Sequence, residues 1–186
     1  MHARPPMLST LAAIAALAWL GGADPAHAQT GPAPAAQHPI PPSLQLEHQD
    51  TLARLGVLAR RPGPVGAEAR KALPLVKRHF AREDEYILPP LTLLPYLADG
   101  KVTPDMSWAI AMADRVRADR EEIFQEHTQI TDAFNAIAAA ARRAHDQEAA
   151  EFAEAGVGDS LNDLELIEPG VLVIGEFLRE KLGSSK

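Results

Sequence analysis

The chain has no cysteine, few aromatic residues and no excess of positive charge, and each shortage closes off a class of function. With no Cys among 186 residues, a disulfide framework, thiolate zinc, an iron–sulfur cluster and a cysteine nucleophile are excluded. Any metal must then be held by His and carboxylates, a donor set that suits iron, manganese or zinc. Aromatic residues make up 5% of the chain while apolar residues reach 46%. That balance, rich in Ala and Leu, favours helix over sheet, because those side chains lose little freedom on entering a helix. The formal net charge of -7 repels a phosphate backbone, and no Lys/Arg stripe reverses it, so nucleic acid is not an expected partner. The length suits one domain with a real core.

The longest apolar run lies near the N-terminus. His2 and Arg4 give a weakly basic start, residues 7–20 form the run, and Ala26-His27-Ala28 fits a small-x-small cleavage pattern. The run falls short of the roughly 20 residues a spanning helix needs. Residues 1–28 therefore read as a signal peptide, with an exported product, periplasmic in a Gram-negative host and otherwise secreted. Cleavage removes one Arg and one Asp and leaves the net charge unchanged. No membrane partner is expected after it. Residues 29–42 contain Pro32, Pro34, Pro39, Pro41 and Pro42 and read as an extended tether, leaving 43–186 as the folded domain.

Within that domain the pattern is helical throughout. Ser43 stands as an N-cap before a first helix over 44–58, which Arg61-Pro62-Gly63-Pro64 ends. A second helix is predicted over 67–88, stopped by Pro89-Pro90. Thr103-Pro104 restarts a long third helix to 143, and a fourth covers 147–167 and stops at Pro169-Gly170. A short terminal helix follows over 171–182. Four main helices joined by turn-rich segments predict an all-α antiparallel four-helix bundle.

Polar residues interrupt the apolar stripes. Leu44, His48, Leu52 and Leu55 share a face of helix 1. Ala72, Leu75 or Val76, His79, Glu83 and Ile87 share one on helix 2, and His127 falls between Ile123 and Ile130 on helix 3. On helix 4, Phe152, Gly156, Asp159, Asp163 and Ile167 line up. Residues four apart sit one above the other, so His79 with Glu83, and Asp159 with Asp163, can address one centre. A lone inward His is more often a hydrogen-bonded core residue than a ligand. Three imidazoles and three carboxylates on four inward stripes need a metal or one another, because burying unpaired charge costs several kcal/mol each, roughly. Asp84 and Glu85 read as solvated, Glu126 as a candidate brace beside His127, and His38 and His145 as tether and turn residues.

His48, the spaced pair His79 and Glu83, and His127 resemble the first three ligand segments of the hemerythrin-like (HHE) family. So does the context of the pair, an acidic pair and a proline following Glu83 in residues 79–90. The resemblance covers roughly residues 44–182. It implies a hemerythrin-like bundle around a non-heme di-iron centre, with His48, His79 and His127 as terminal ligands and Glu83 as a bridge. The small ligand so implied is dioxygen or nitric oxide. The fourth segment departs from the pattern. Residues 159–169 align without gaps on 79–89 and put Asp159 where the His belongs and Asp163 where the Glu belongs.

Shorter, harder donors shift preference from reversible dioxygen chemistry toward cations such as manganese or magnesium, or toward a single metal or none. Two readings follow. One is an exported metal-binding protein with an altered site for oxygen, nitric oxide or metal handling, iron being the expected metal, di-iron or mononuclear. The other is a metal-free relative that uses the bundle as an interaction or scaffolding module. No nucleophile, substrate pocket or cofactor loop is legible, so binding is favoured over catalysis.

Overall fold

Pro41 is extended and Pro42 opens the first helix, where its missing N–H costs nothing. The computed structural model describes residues 38–183, so the predicted signal peptide and most of the predicted tether lie outside the described residues. Helix α1 (Pro42–Ala59) begins two residues before the predicted start, and Ser43 lies inside it and makes no cap. Gly63 takes φ +84, a left-handed conformation that lets the chain turn within three residues into α2 (Gly63–Arg82). Buried Val65, Ala69, Ala72, Val76 and His79 recur at three- and four-residue spacing along α2.

At Glu83 the ladder widens. Glu83–Ile87 form a π turn in which the Leu88 N–H reaches the Glu83 carbonyl, five residues back, at 2.9 Å. The connection that follows holds a 3-10 turn (Pro89–Leu93), a short helix α3 (Leu94–Ala98) and a second 3-10 turn (Pro104–Ser107). Thr103 is extended ahead of that turn, so the predicted restart falls where the sequence puts it. Helix α4 (Trp108–Arg143) has 36 residues, about 54 Å at the usual rise, and packs on α2. His145 at φ 55 carries the next turn. Asp146 caps α5 (Gln147–Asn162) by accepting from the Ala149 N–H at 3.2 Å.

The predicted stop at Pro169-Gly170 is overturned. A second π turn (Asp163–Ile167) leads without interruption into α6 (Glu168–Gly183), so both residues sit inside helix. The ladder is already out of α register there, where a proline's missing N–H and ring bulk break no regular hydrogen bond. The two π turns begin at Glu83 and Asp163, the positions that the internal alignment pairs.

Among the described residues all regular structure is helical, with no strand. Helix α4 contacts α2, α5 and α6, and α1 lies on α2. Two apolar clusters form. One gathers Leu55, Val76, Phe134, Ile137 and Phe152; the other gathers Tyr86, Ile87, Val116, Ile123, Val171 and Leu178. Gly175 lets α6 approach α4 closely, since a Cβ there would lie 2.3 Å from the Ala113 Cβ. Between the clusters runs a buried polar layer. His127 falls between Ile123 of one and Ile130 of the other, and His79 and Glu83 fall between Val76 and Tyr86.

Candidate metal centre

His48 of α1, His79 of α2, Glu83 at the head of the first π turn and His127 of α4 are all buried in this layer. Glu83 faces two imidazoles with its two oxygens: Oε2 lies 3.1 Å from His48 Nε2 and Oε1 lies 3.2 Å from His79 Nε2. The His79 and His127 rings are 4.3 Å apart, edge to face. One donor atom from each of His79, Glu83 and His127 lies within 4.8 Å of the other two.

The outer nitrogen of each imidazole is occupied. His48 Nδ1 pairs with Asp84 Oδ1 at 3.0 Å, His79 Nδ1 with Glu126 Oε2 at 3.2 Å and His127 Nδ1 with Ser160 Oγ at 3.0 Å. Carboxylates only accept, so His48 and His79 carry N–H at Nδ1. The Ser160 hydroxyl donates to the His127 carbonyl, so its lone pairs accept from His127 Nδ1 as well. All three Nε2 atoms thus turn inward. His79 Nε2, Glu83 Oε2, His127 Nε2 and Glu168 Oε1 are buried and make no hydrogen bond among the described residues.

These atoms are at hydrogen-bond distance but not in hydrogen-bond alignment. Two donors on one first-row ion, each about 2.1 Å from it and near a right angle, stand about 3 Å apart. That is the spacing of the nitrogen–oxygen pairs here. Imidazoles fixed through Nδ1 by a carboxylate or hydroxyl are the usual support of metal-ligating His. The residues present therefore fit a divalent metal held by imidazole and carboxylate.

Burial alone would raise the Glu83 carboxyl, but His48 and His79 hold it down at about 2. Burial would lower both imidazoles, and carboxylates reverse it: Glu83 and Asp84 raise His48, and Glu83 and Glu126 raise His79. Arg82 and Arg78 lie 3.3 and 3.5 Å from the outer Glu126 oxygen, which anchors the far end of the chain of pairs.

The last-helix side differs from the expected set. Asp159 is exposed and Asp163 half-buried, and neither belongs to the close three-residue group. Burial, and then the Glu83 charge, push Asp163 up to about 8, and burial raises Asp159. The buried face of α5 runs Phe152, Gly156, Ser160 at four-residue steps, one position past Asp159. The buried carboxylate is Glu168, whose Oε1 lies 3.1 Å from His127 Nε2.

Sequence reasoning missed Glu168, Ser160, Asp84 and the partner of Glu126. Glu126 braces His79 across the helix interface, not its neighbour His127. Asp84, read as solvated, stays half-exposed and still binds His48. The signal for Glu168 was its place five residues after Asp163, the reach of a π turn, rather than four. A cavity of about 20 Å³ adjoins the group, room for one water-sized ligand. His79, His127 and Asp163 line it.

Compared with family models, curated proteins and solved structures, the chain gave no match.

Proposed function

We propose that this protein is an exported, hemerythrin-like metal-binding protein, its helices forming an antiparallel four-helix bundle around a non-heme iron site. His48, His79, Glu83 and His127 hold the metal, and Glu168 supplies the last-helix carboxylate. Asp159 and Asp163, read from the sequence as ligands, line the cavity beside that set. The observation that carries the reading is the inward turn of three imidazoles whose Nδ1 atoms are all engaged, leaving buried Nε2 atoms against carboxylate oxygens at 3.1–3.2 Å. Such donors suit iron, with manganese as the nearest competitor. Bound iron would supply reversible binding of dioxygen or nitric oxide, and the cavity lies against two of the donor imidazoles, His79 and His127.

Elemental analysis of protein purified from its native compartment tests this. Stoichiometric transition metal is expected, lost in His79→Ala and Glu83→Ala. No metal in the natural protein, at any loading, would end the reading.

One observation favours the metal-free alternative: raised His48 and His79 make imidazolium–carboxylate pairs that satisfy part of the layer on their own. Under it, a chelator leaves the melting temperature unchanged.

A further inference from the structure

Three carboxylates lead from the surface to the buried group. Glu47 of α1 and Asp159 of α5 are exposed, Asp163 is half-buried, and all three line the cavity whose inner wall includes His79 and His127. No Lys or Arg lines that cavity. Among the described residues none of the three forms an ion pair with a cationic side chain, whereas the protein's other carboxylate clusters do. Glu85 pairs with Arg115, Glu122 with Arg82, and Asp114 and Glu176 with Arg117 and Arg179.

The three line one small cavity with no cationic Lys or Arg among them. Carboxylates gathered around a cavity without a cationic side chain carry a cost, as repulsion or as a retained proton, and a positive partner would remove it. At the inner end, His79 Nε2 and His127 Nε2 are buried with no hydrogen-bond partner among the described residues. The charges narrow the choice of visitor. An anion is repelled, and a neutral diatomic gains nothing from them. A divalent cation is drawn by them, and low-dielectric side chains in the cavity wall such as Phe80 and Phe134 focus the field on it.

We propose that Glu47, Asp159 and Asp163 form an uptake vestibule for a divalent first-row cation. The cation meets Glu47 and Asp159 at the surface, passes to Asp163, and is delivered to His79, Glu83 and His127. This rests on the metal-binding reading above. Glu47 and Asp159 act on the rate of arrival and make no bond to the metal once it is seated.

The test is stopped-flow loading of metal-free protein with Co(II), followed by the absorbance of the bound ion. At low ionic strength the Glu47→Gln, Asp159→Asn double variant should load about tenfold more slowly, and Glu47→Lys more slowly still. Added salt should shrink the difference. Final cobalt stoichiometry and spectrum at saturation should match the natural protein. Glu85→Gln, which removes one charge elsewhere, should load normally.

Equal rates in the vestibule variants would overturn the proposal, as would an equal slowing in Glu85→Gln. A changed spectrum at saturation would also overturn it, since it would make these residues ligands. If the natural protein takes up no cobalt at all, the metal-binding reading itself fails. Both substituted side chains are exposed, and circular dichroism checks that each variant is folded.

Discussion

His127 and Glu168 face each other across 3.1 Å, with the facing atoms buried and neither in a hydrogen bond among the described residues. With Nδ1–H given to Ser160 on the other side, His127 turns the lone pair of Nε2 toward a carboxylate oxygen. Two lone pairs at that distance are stable only with a cation or a proton between them. Replacing Glu168 by Gln keeps the shape and removes the anion. Affinity for Fe(II) or Co(II), measured by competition with a chromophoric chelator, should fall by at least about tenfold. Unchanged affinity would reduce Glu168 to a counter-ion of His127.

The outer partners give a second prediction. Ser160→Ala leaves His127 Nδ1 with no acceptor, and Glu126→Ala does the same for His79. Each should weaken metal binding by roughly 10- to 100-fold, because the ring loses both its tautomer and its orientation. Asp84→Ala should have less effect, its carboxylate being half-exposed and partly replaced by water. The same competition titration measures all three, and an effect of Asp84→Ala exceeding the other two would contradict the account.

What the sequence shows and hides here has a physical pattern. The helices, the inward turn of His48, His79, Glu83 and His127, and the pairing of the two proline-ended segments follow from periodicity, which the chain obeys through most of its length. The misreadings cluster where the period changes. A π turn adds a residue to one turn, so a four-residue count from Asp159 through Asp163 leads away from Glu168. It also allows Pro169 inside a continuous helix. Braces such as Glu126 to His79 join different helices at an interface, a relation that no spacing along one helix encodes.

The pKa directions predict opposite pH responses for the metal-free and metal-loaded protein. Glu83, held at about 2 against an ordinary 4.5, contributes stability that is present above 4.5 and lost as pH falls toward 2. His48 and His79, raised above 6.5, contribute stability that is present below 6.5 and lost as pH rises through their folded values. Asp163, raised from 3.8 to about 8, carries a cost that grows as pH rises from 3.8 and is complete above 8. The metal-free protein should therefore be most stable near pH 5–6, by these values, and soften toward pH 8. Metal binding displaces the imidazole protons, so the stabilisation it adds should grow over the same range. Melting temperatures with chelator and with Co(II) between pH 5 and 9 test both arms. A chelated protein that gains stability from pH 6 to 8 would refute the assignment.

Two glycines of α5 should respond oppositely to the same substitution. A Cβ on Gly156 would lie 2.8 Å from the Phe134 ring, and that ring is buried edge-to-face against Phe152 at 5.9 Å, so it can yield only by giving up that packing. Overpacking of this kind costs about 1–3 kcal/mol, more than the gain of about 0.8–1.0 kcal/mol from replacing Gly by Ala in a helix. Gly158 is exposed, and a Cβ there meets nothing within 4 Å, so Gly158→Ala should stabilise by close to the full propensity difference. Chemical denaturation of the two variants should bracket the natural protein. Because Phe134 also lines the cavity beside His79 and His127, the displaced ring in Gly156→Ala should narrow the space left for a small ligand. Nitric oxide binding to the metal-loaded protein should weaken in Gly156→Ala and stay unchanged in Gly158→Ala. Weakening in both would show that helix stiffness, rather than the volume at Phe134, sets access.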